Sequence, residues 1–376
     1  MVHGRISRLS VRDVRFPTSL GGHGSDAMHT DPDYSAAYVV IETDSEDGLQ
    51  GCGITFTLGK GTEVDWSRER CGTPGHSSHF ECSVGPLGQA GGKGNSSEKH
   101  ARGAMTQDTS LESARCTFRL GLLHACDHVC DEMCTLSPQL CAAALKDGWT
   151  RFKVKVGADL QDDIRRCRLI RDMIGPEKIL MMDANQRWDV PEAVEWMSKL
   201  AEFKPLWIEE PTSPDDILGH ATISKALAPL GIGVATGEQC HNRVIFKQLL
   251  QADALQFLQI DSCRLGSVNE NLSVLLMAKK FGIPVCPHAG GVGLCELVQH
   301  LIIFDFISIS GSLKNRMCEY VDHLHEHFKY PVIIKQASYM PPKAAGYSTE
   351  MKEESVQKHQ YPHGEVWKKL LPAQED

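Results

Sequence analysis

Six residues able to carry proton or metal chemistry recur between positions 155 and 288, each closing a short apolar run. They are Lys155 in RFKVKVG, Asp183 in ILMMDANQ, Glu209 in PLWIEEP, Glu238 in IGVATGEQ, Asp261 in LQFLQIDS and His288 in IPVCPHAGG. Successive members lie 28, 26, 29, 23 and 27 residues apart. Taken singly, each has a plainer reading: a helix cap, a solvated lysine, a buried histidine bonded to a carbonyl. Three carboxylates at three consecutive strand ends are another matter. Converging on one point, Asp183, Glu209 and Glu238 would repel one another unless a hard cation neutralised them. An all-oxygen set suits Mg2+, which keeps positions open for a substrate's own oxygens. Lys155 shares a strand face with Lys153, because side chains alternate along a strand. A second cation and a metal nearby are expected to depress its ammonium from about 10.4 and fit it to act as a base. His288 needs an acceptor for its second ring proton, and Asp261 is placed one strand earlier to provide it. Glu319, in MCEYVD at the next strand end, completes the ring. Together these groups point to removal of a proton beside a carboxylate, the charge of the resulting enediolate being held by the cation.

The elements that must position these residues follow from the same spacing. The interval is about one strand–helix unit, since a (β/α)8 barrel of roughly 250 residues divides into eight. Residues 137–148 open with Ser137-Pro138 and close at Gly148, a helix with a cap, proline at its start and glycine at its end. Strand RFKVKV follows, then a helix with Leu160, Ile164, Cys167 and Ile170 on one face, then strand ILMMD. The next helix carries Val190, Ala193, Val194, Met197 and Leu200 at helical spacing, and the alternation runs on to about residue 322. The fold class is thus α/β, a TIM-like (β/α)7β barrel over residues 138–325. An α+β capping domain begins in residues 1–65, with a first strand, a loop, and a hairpin, AAYVVIETD and GCGITFTLG, turning at Glu46-Asp47-Gly48. Residues 326–376, rich in aromatics and prolines, are expected to return over that cap.

Between them, residues 66–137 change character. Over 66–110 there are eight Gly and seven Ser against five large apolar residues, Trp66, Phe80, Val84, Leu87 and Met105. Too little apolar surface is available to offset chain entropy, so most of this insert is expected to be irregular or disordered. Seven barrel strands are then recognisable, and a barrel lacking its first would leave two strand edges bare. His124, Cys126, His128, Cys130 and Cys134 could face a zinc ion from one helix, but no second pair stands at finger-like distance.

The 376-residue chain is long enough for a barrel and a smaller domain. A net charge of −9 argues against nucleic acid or anionic membranes as the main partner, and no apolar run is long enough to span a bilayer. The 14 cysteines form no even framework and read as reduced thiols of an intracellular protein. Arg5, Arg8, Arg12 and Arg15 have a presequence-like bias, whereas Ile6, Val11, Val14 and Phe16 among polar residues read as a strand.

In order and spacing, KVKVG, DANQ, WIEEP, GEQ, QID and PHAGG resemble the mandelate-racemase branch of the enolase superfamily. The longer strings SLGGHGSDAMHTDPDYSAAYVVIETD and CEYVDHLHEHF are similar to its L-fuconate dehydratases. The likeness covers residues 1–64 and about 140–376. It implies a Mg2+-dependent lyase of carbohydrate-acid catabolism, converting L-fuconate to 2-dehydro-3-deoxy-L-fuconate and water, with Asp183, Glu209 and Glu238 as metal ligands. Lys155 would take the C2 proton, and His288, oriented by Asp261, would protonate the departing 3-hydroxyl. Lys153, Asn185 and Glu319 would meet the substrate carboxylate or the developing charge, and Gly24, Ser25, Asp26 and Tyr34 would lie in the loop that closes over the sugar-acid tail. It further implies a small acid-sugar partner, a mitochondrial rather than cytoplasmic location, and an assembly that could be homo-oligomeric. Against it stands one departure: residues 66–137 do not match where the family has cap helices and the first barrel strand. A catalytically inactive product with an interaction or regulatory role is the alternative.

Overall fold

The structure, a computed structural model, describes residues 5–21, 28, 33–58, 121–122, 136–314 and 316–371. Gly24, Ser25, Asp26 and all but two residues of the 66–135 stretch, its His/Cys cluster included, lie outside the described residues.

The N-terminal unit is an antiparallel three-stranded sheet. Strand β1 (Ile6–Phe16) pairs with β2 (Tyr34–Thr43), which pairs with β3 (Gln50–Leu58). Alternation explains its two faces: Val14, Phe16, Tyr34, Ala36, Tyr38, Ile54 and Phe56 are buried, while the far ends of the strands are half-exposed. The β2–β3 turn uses Gly48 at φ 64°, a left-handed conformation that glycine adopts without strain.

Six parallel strands follow in chain order: β4 (Gly121–Leu122), β5 (Arg151–Lys155), β6 (Ile179–Asp183), β7 (Pro205–Glu209), β8 (Gly233–Thr236) and β9 (Phe257–Leu258). Gly121–Leu122 pairs beside Phe152 and Lys153, on the edge of β5 away from β6. The curl continues past β9 through single links. Leu258 bridges Val285 in parallel, His288 N donates to Ile260 O at 2.9 Å, and Glu319 N donates to Pro287 O at 3.2 Å. Helices α1 (Leu136–Lys146), α2 (Leu160–Ile174), α3 (Val190–Leu200), α4 (Ile217–Leu227), α5 (Arg243–Gln251), α6 (Ser267–Phe281) and α7 (Leu294–Phe304) alternate with the strands. The apolar stripes of α1 to α4 meet the outward strand residues Phe152, Val154, Leu180, Met182, Ile208 and Val234 in one core, and those of α5 and α6 meet Leu258 and Val285 in a second. Caps set the helix ends where the chain must turn back. Asp159 accepts from Asp162 N at the start of α2, and Asn242 from Val244 N and Ile245 N at the start of α5.

Inside the curl, Met181, Trp207, Ala235, Cys286 and Met317 form a separate apolar layer. Two residues further along a strand the side chain returns to the same face. From Met181 that step reaches Asp183, from Trp207 Glu209, from Cys286 His288 and from Met317 Glu319. The functional ring is therefore the next storey above an apolar floor.

The chain after residue 322 returns to the N-terminal sheet. Phe328, Met351 and Val356 bury against Val14, Phe16 and Tyr34. Gln360 bridges Val14, Arg12 pairs with Glu353 at 2.6 Å, and the Trp367 indole donates to Arg15 O at 3.0 Å. Helix α8 (Glu353–His359) supplies Glu353 and Val356 to these contacts, and helix α9 (Glu365–Leu370) supplies Trp367.

Candidate active site

Parallel register puts the first three groups level: Lys155 is opposite Asp183, and Asp183 is opposite Glu209. Glu238 comes from the loop just past β8. Gly237 makes that turn possible at φ 134°, where a Cβ would stand 2.3 Å from the Gln259 carbonyl and 2.6 Å from the Phe246 ring. The next turns are also strained, with Asn185, Gln186 and Glu210 at φ 44°, 68° and 39°, a cost of about 1–3 kcal/mol each of the kind found where a site dictates backbone shape.

Asp183, Glu209 and Glu238 each present one carboxylate oxygen, all within 4.8 Å of one another, and all three side chains are buried. Lys153 lies under them, bonded to Glu209 at 2.5 Å and Glu319 at 2.6 Å, with Asp183 at 3.1 Å. Lys155 donates to Asp183 at 2.6 Å and to Asn185 Oδ1 at 2.7 Å. On the other flank, His288 Nδ1 stands 2.7 Å from Asp261 Oδ2, and its Nε2 faces Glu238 at 3.5 Å and Glu319 at 3.9 Å. Asp183, Glu209, Asp261 and Glu319 are sealed, whereas Lys155 at 9 % and His288 at 8 % exposure keep a solvent-accessible edge. The two groups able to move protons are thus among those a substrate can reach.

Charge within the ring is unbalanced. Burial would lower the Lys153 ammonium, but Asp183, Glu209, Glu319 and Glu238 outweigh it and hold the group well above its ordinary value. Burial likewise opposes ionisation of Asp183, yet Lys153 and Lys155 keep its carboxyl below the ordinary range. Glu209 goes the other way: burial first, then Asp183, push it well up. Glu210, adjoining in sequence, is also raised well above its usual value by burial and by Glu238 and Asp183, and its Oε1 has no hydrogen-bond partner. Two lysines cannot satisfy four converging carboxylates, and a divalent cation among the three oxygens supplies the missing charge. The donor set fits Mg2+: hard oxygen ligands, three from protein, all of them buried.

Arg264 belongs to this site and was not picked out by motif. Its Nη1 donates to Asp261 Oδ2 at 2.6 Å, the oxygen that also faces His288. The other Asp261 oxygen accepts from the Cys263 and Arg264 amides at 2.7 and 2.9 Å. Burial opposes the charge on Asp261, but Arg264 and His288 keep it ionised and its carboxyl low. Burial also opposes the His288 imidazolium, while Glu238 and Asp261 raise it above its usual range. Gln259, donating to Glu319 at 3.2 Å, and Trp207, donating to Glu209 at 3.2 Å, are further supports. The signal for both was available: each stands two residues before a named acid on an inward strand face. Tyr34, expected in a loop closing over the site, is instead the first residue of β2. Its ring lies 5.9 Å from Phe56 and 5.6 Å from His323, among buried residues of the N-terminal sheet.

Comparison with known proteins places this geometry. The description of the enolase C-terminal domain-like family matches residues 138–355. The chain is similar to mitochondrial enolase superfamily member 1 of Homo sapiens, 63% identical over 459 aligned residues covering all of both proteins. That alignment is longer than this 376-residue chain, so the relative has stretches with no counterpart here. An L-galactonate dehydratase of Hypocrea jecorina is 40% identical, with 95% of this chain and 94% of the relative covered. Among solved structures, human mitochondrial enolase superfamily member 1 superimposes with a TM-score of 0.82 at 60% identity, over 99% of this chain and 100% of that one. An L-talarate dehydratase from Polaromonas sp. JS666, crystallised with Mg and L-glucarate, shares the fold at a TM-score of 0.68 and 19% identity, covering 96% and 98%. The barrel with an N-terminal capping domain, expected from strand-end spacing, is the fold these neighbours share.

Proposed function

The chain belongs to the enolase superfamily, and from that premise we propose that it is a Mg2+-dependent acid-sugar dehydratase whose best substrate is L-fuconate. The observation that carries the reading is the division of the ring: a lysine on one flank of three metal-ligating carboxylates, a histidine–aspartate pair on the other. When bound by Asp183, Glu209 and Glu238, Mg2+ supplies positive charge against the substrate carboxylate as electrons from the broken C2–H bond move onto it. Lys155, its nitrogen steered by Asn185, takes the C2 proton. His288, held by Asp261, gives a proton to the 3-hydroxyl as the C3–O bond breaks, and water leaves. The enol that remains becomes the 2-keto acid, so L-fuconate yields 2-dehydro-3-deoxy-L-fuconate plus water. Lys153, beneath the ligating carboxylates, and Glu319, facing His288, bear on the charge developing at the substrate carboxylate from below. Gly24, Ser25 and Asp26, in the segment leading to Tyr34, read the sugar tail.

Relatives named as dehydratases of L-galactonate and of L-talarate or galactarate support the reaction class, and the name of the human relative supports a mitochondrial location. No helix of the described residues is long and apolar enough to cross a membrane. A panel of acid sugars offered to the purified chain with Mg2+ tests specificity: L-fuconate should give the highest kcat/KM for 2-keto acid, and a faster L-galactonate would overturn that choice while keeping the class. A second reading rests on the stretches the chain lacks relative to its human counterpart. It makes this chain a non-catalytic member with an interaction or regulatory role, signalled by folded protein that binds Mg2+ and dehydrates nothing.

A further inference from the structure

The N-terminal sheet touches the barrel at a telling place. Thr55 Oγ1 of β3 donates to Cys263 O at 3.1 Å, and Cys263 Sγ returns a contact to Ile54 O at 3.6 Å. The Arg264 guanidinium lies over the Phe56 ring, 5.5 Å from its centre. Phe56 also fills the space over Gly291, where an added Cβ would come within 2.2 Å of the ring, and over Gly293 an added Cβ would meet Phe328 at 2.6 Å and Ile54 at 3.4 Å. Cys263 and Arg264 follow Asp261, while Gly291 and Gly293 follow His288. One edge of β3 therefore rests on both loops that hold the histidine–aspartate pair. Lys155 and Asp183 are held differently, opposite one another on the paired strands β5 and β6.

We propose that Thr55 and Phe56 are positioning residues for the acid half of the reaction: they seat the Asp261 and His288 loops, so that docking of the N-terminal sheet governs departure of the hydroxyl and leaves proton removal by Lys155 intact. The rate consequence rests on the dehydratase reading; the structural consequence does not. A displacement of about 1 Å at a reacting group costs on the order of 100-fold in rate, and here it falls on one of two separable steps.

The test uses the full chain with Mg2+, as wild type, Phe56→Ala and Thr55→Val, the second nearly isosteric and expected to fold. Two readouts are taken. The first is the low-field His288 Nδ1 proton resonance in histidine-labelled protein, assigned with His288→Asn. The second is, from L-fuconate in deuterated water, 2-keto acid formation against deuterium gained at C2 of recovered substrate. Loss or broadening of the resonance in both variants is expected, with keto acid formation down about 100-fold and C2 exchange retained. An unchanged resonance overturns the proposal whether or not the chain turns over any acid sugar. Parallel loss of exchange and elimination also overturns it, since β3 would then support the whole site. If wild type dehydrates nothing, the dehydratase reading falls and the resonance alone decides the positioning claim.

Discussion

At the scale of single residues, what the site needs is charge balance. Lys153 binds three carboxylates at once, so Lys153→Met should do more than remove a substrate contact. It leaves buried acids unpaired, a change that costs about 3–5 kcal/mol where a buried pair is broken, and thermal melting should show it. Lys155→Ala also breaks a pair to the buried Asp183, but that carboxylate keeps Lys153 at 3.1 Å, so the loss of stability should be smaller than for Lys153→Met. Its cost lies in turnover, about 100- to 10,000-fold for loss of a positioned base. The contrast separates two lysines only two residues apart and is read by melting and by keto acid formation on the same preparations. These residues were legible in the sequence because each ends an apolar run on a period-two face. Arg264 was not: nothing in RLGS says that its guanidinium turns back on Asp261, and that contact depends on a loop conformation set by Phe56, far away in the chain.

At the scale of elements, junctions carry the predictions. Gly291, at φ 124°, lies against the Phe56 ring. Gly291→Ala adds both a clash and an unfavourable backbone, and should lower stability by about 3 kcal/mol, measured by urea unfolding. A second junction joins α7 to the return segment. His325 Nδ1 meets Glu296 at 2.8 Å and Nε2 meets Val321 O at 2.7 Å. With an acceptor on each nitrogen the imidazolium is favoured, stacked on Tyr320 at 5.4 Å between ring centres. Burial opposes the charge, but Glu296 outweighs it and raises the group above its ordinary 6.5. The sign follows: the stabilisation is fully present below about pH 6.5, the unfolded value, and is lost as pH rises through the higher folded value. The stability gap between wild type and His325→Gln should therefore be widest in mild acid and close in alkali. A gap constant with pH would show that the pair does not titrate. The periodicity of the barrel strands made them readable, and the hairpin turn at Gly48 marked itself. The contact of β3 with the loop after Asp261 joins residues 208 positions apart, and local pattern carries no trace of such a pairing.

At the scale of the whole molecule, the chain closes on itself. The last described segments seal β1 through Val14, Phe16, Met351 and Val356 and tie it down with Arg12–Glu353 and Trp367–Arg15. Truncation after Met351 should uncover that apolar face and leave the protein aggregation-prone, with a lower melting temperature seen in size-exclusion and thermal scans. If β3 is held in place by this closure, the truncation should also weaken the acid half of the site before the metal site. The barrel, its strand ends and the return of the tail were readable because composition and alternation favour the same arrangement.

The central claim is that Asp183, Glu209 and Glu238 hold Mg2+ between a lysine base and a histidine acid to dehydrate an acid sugar. The most direct measurement is 2-keto acid formation from L-fuconate by the purified chain, with and without EDTA, beside Lys155→Ala. The account predicts keto acid that depends on Mg2+, returns when the metal is restored and disappears in the lysine variant. Folded protein that binds Mg2+ yet forms no keto acid, or formation that survives in Lys155→Ala, would contradict it.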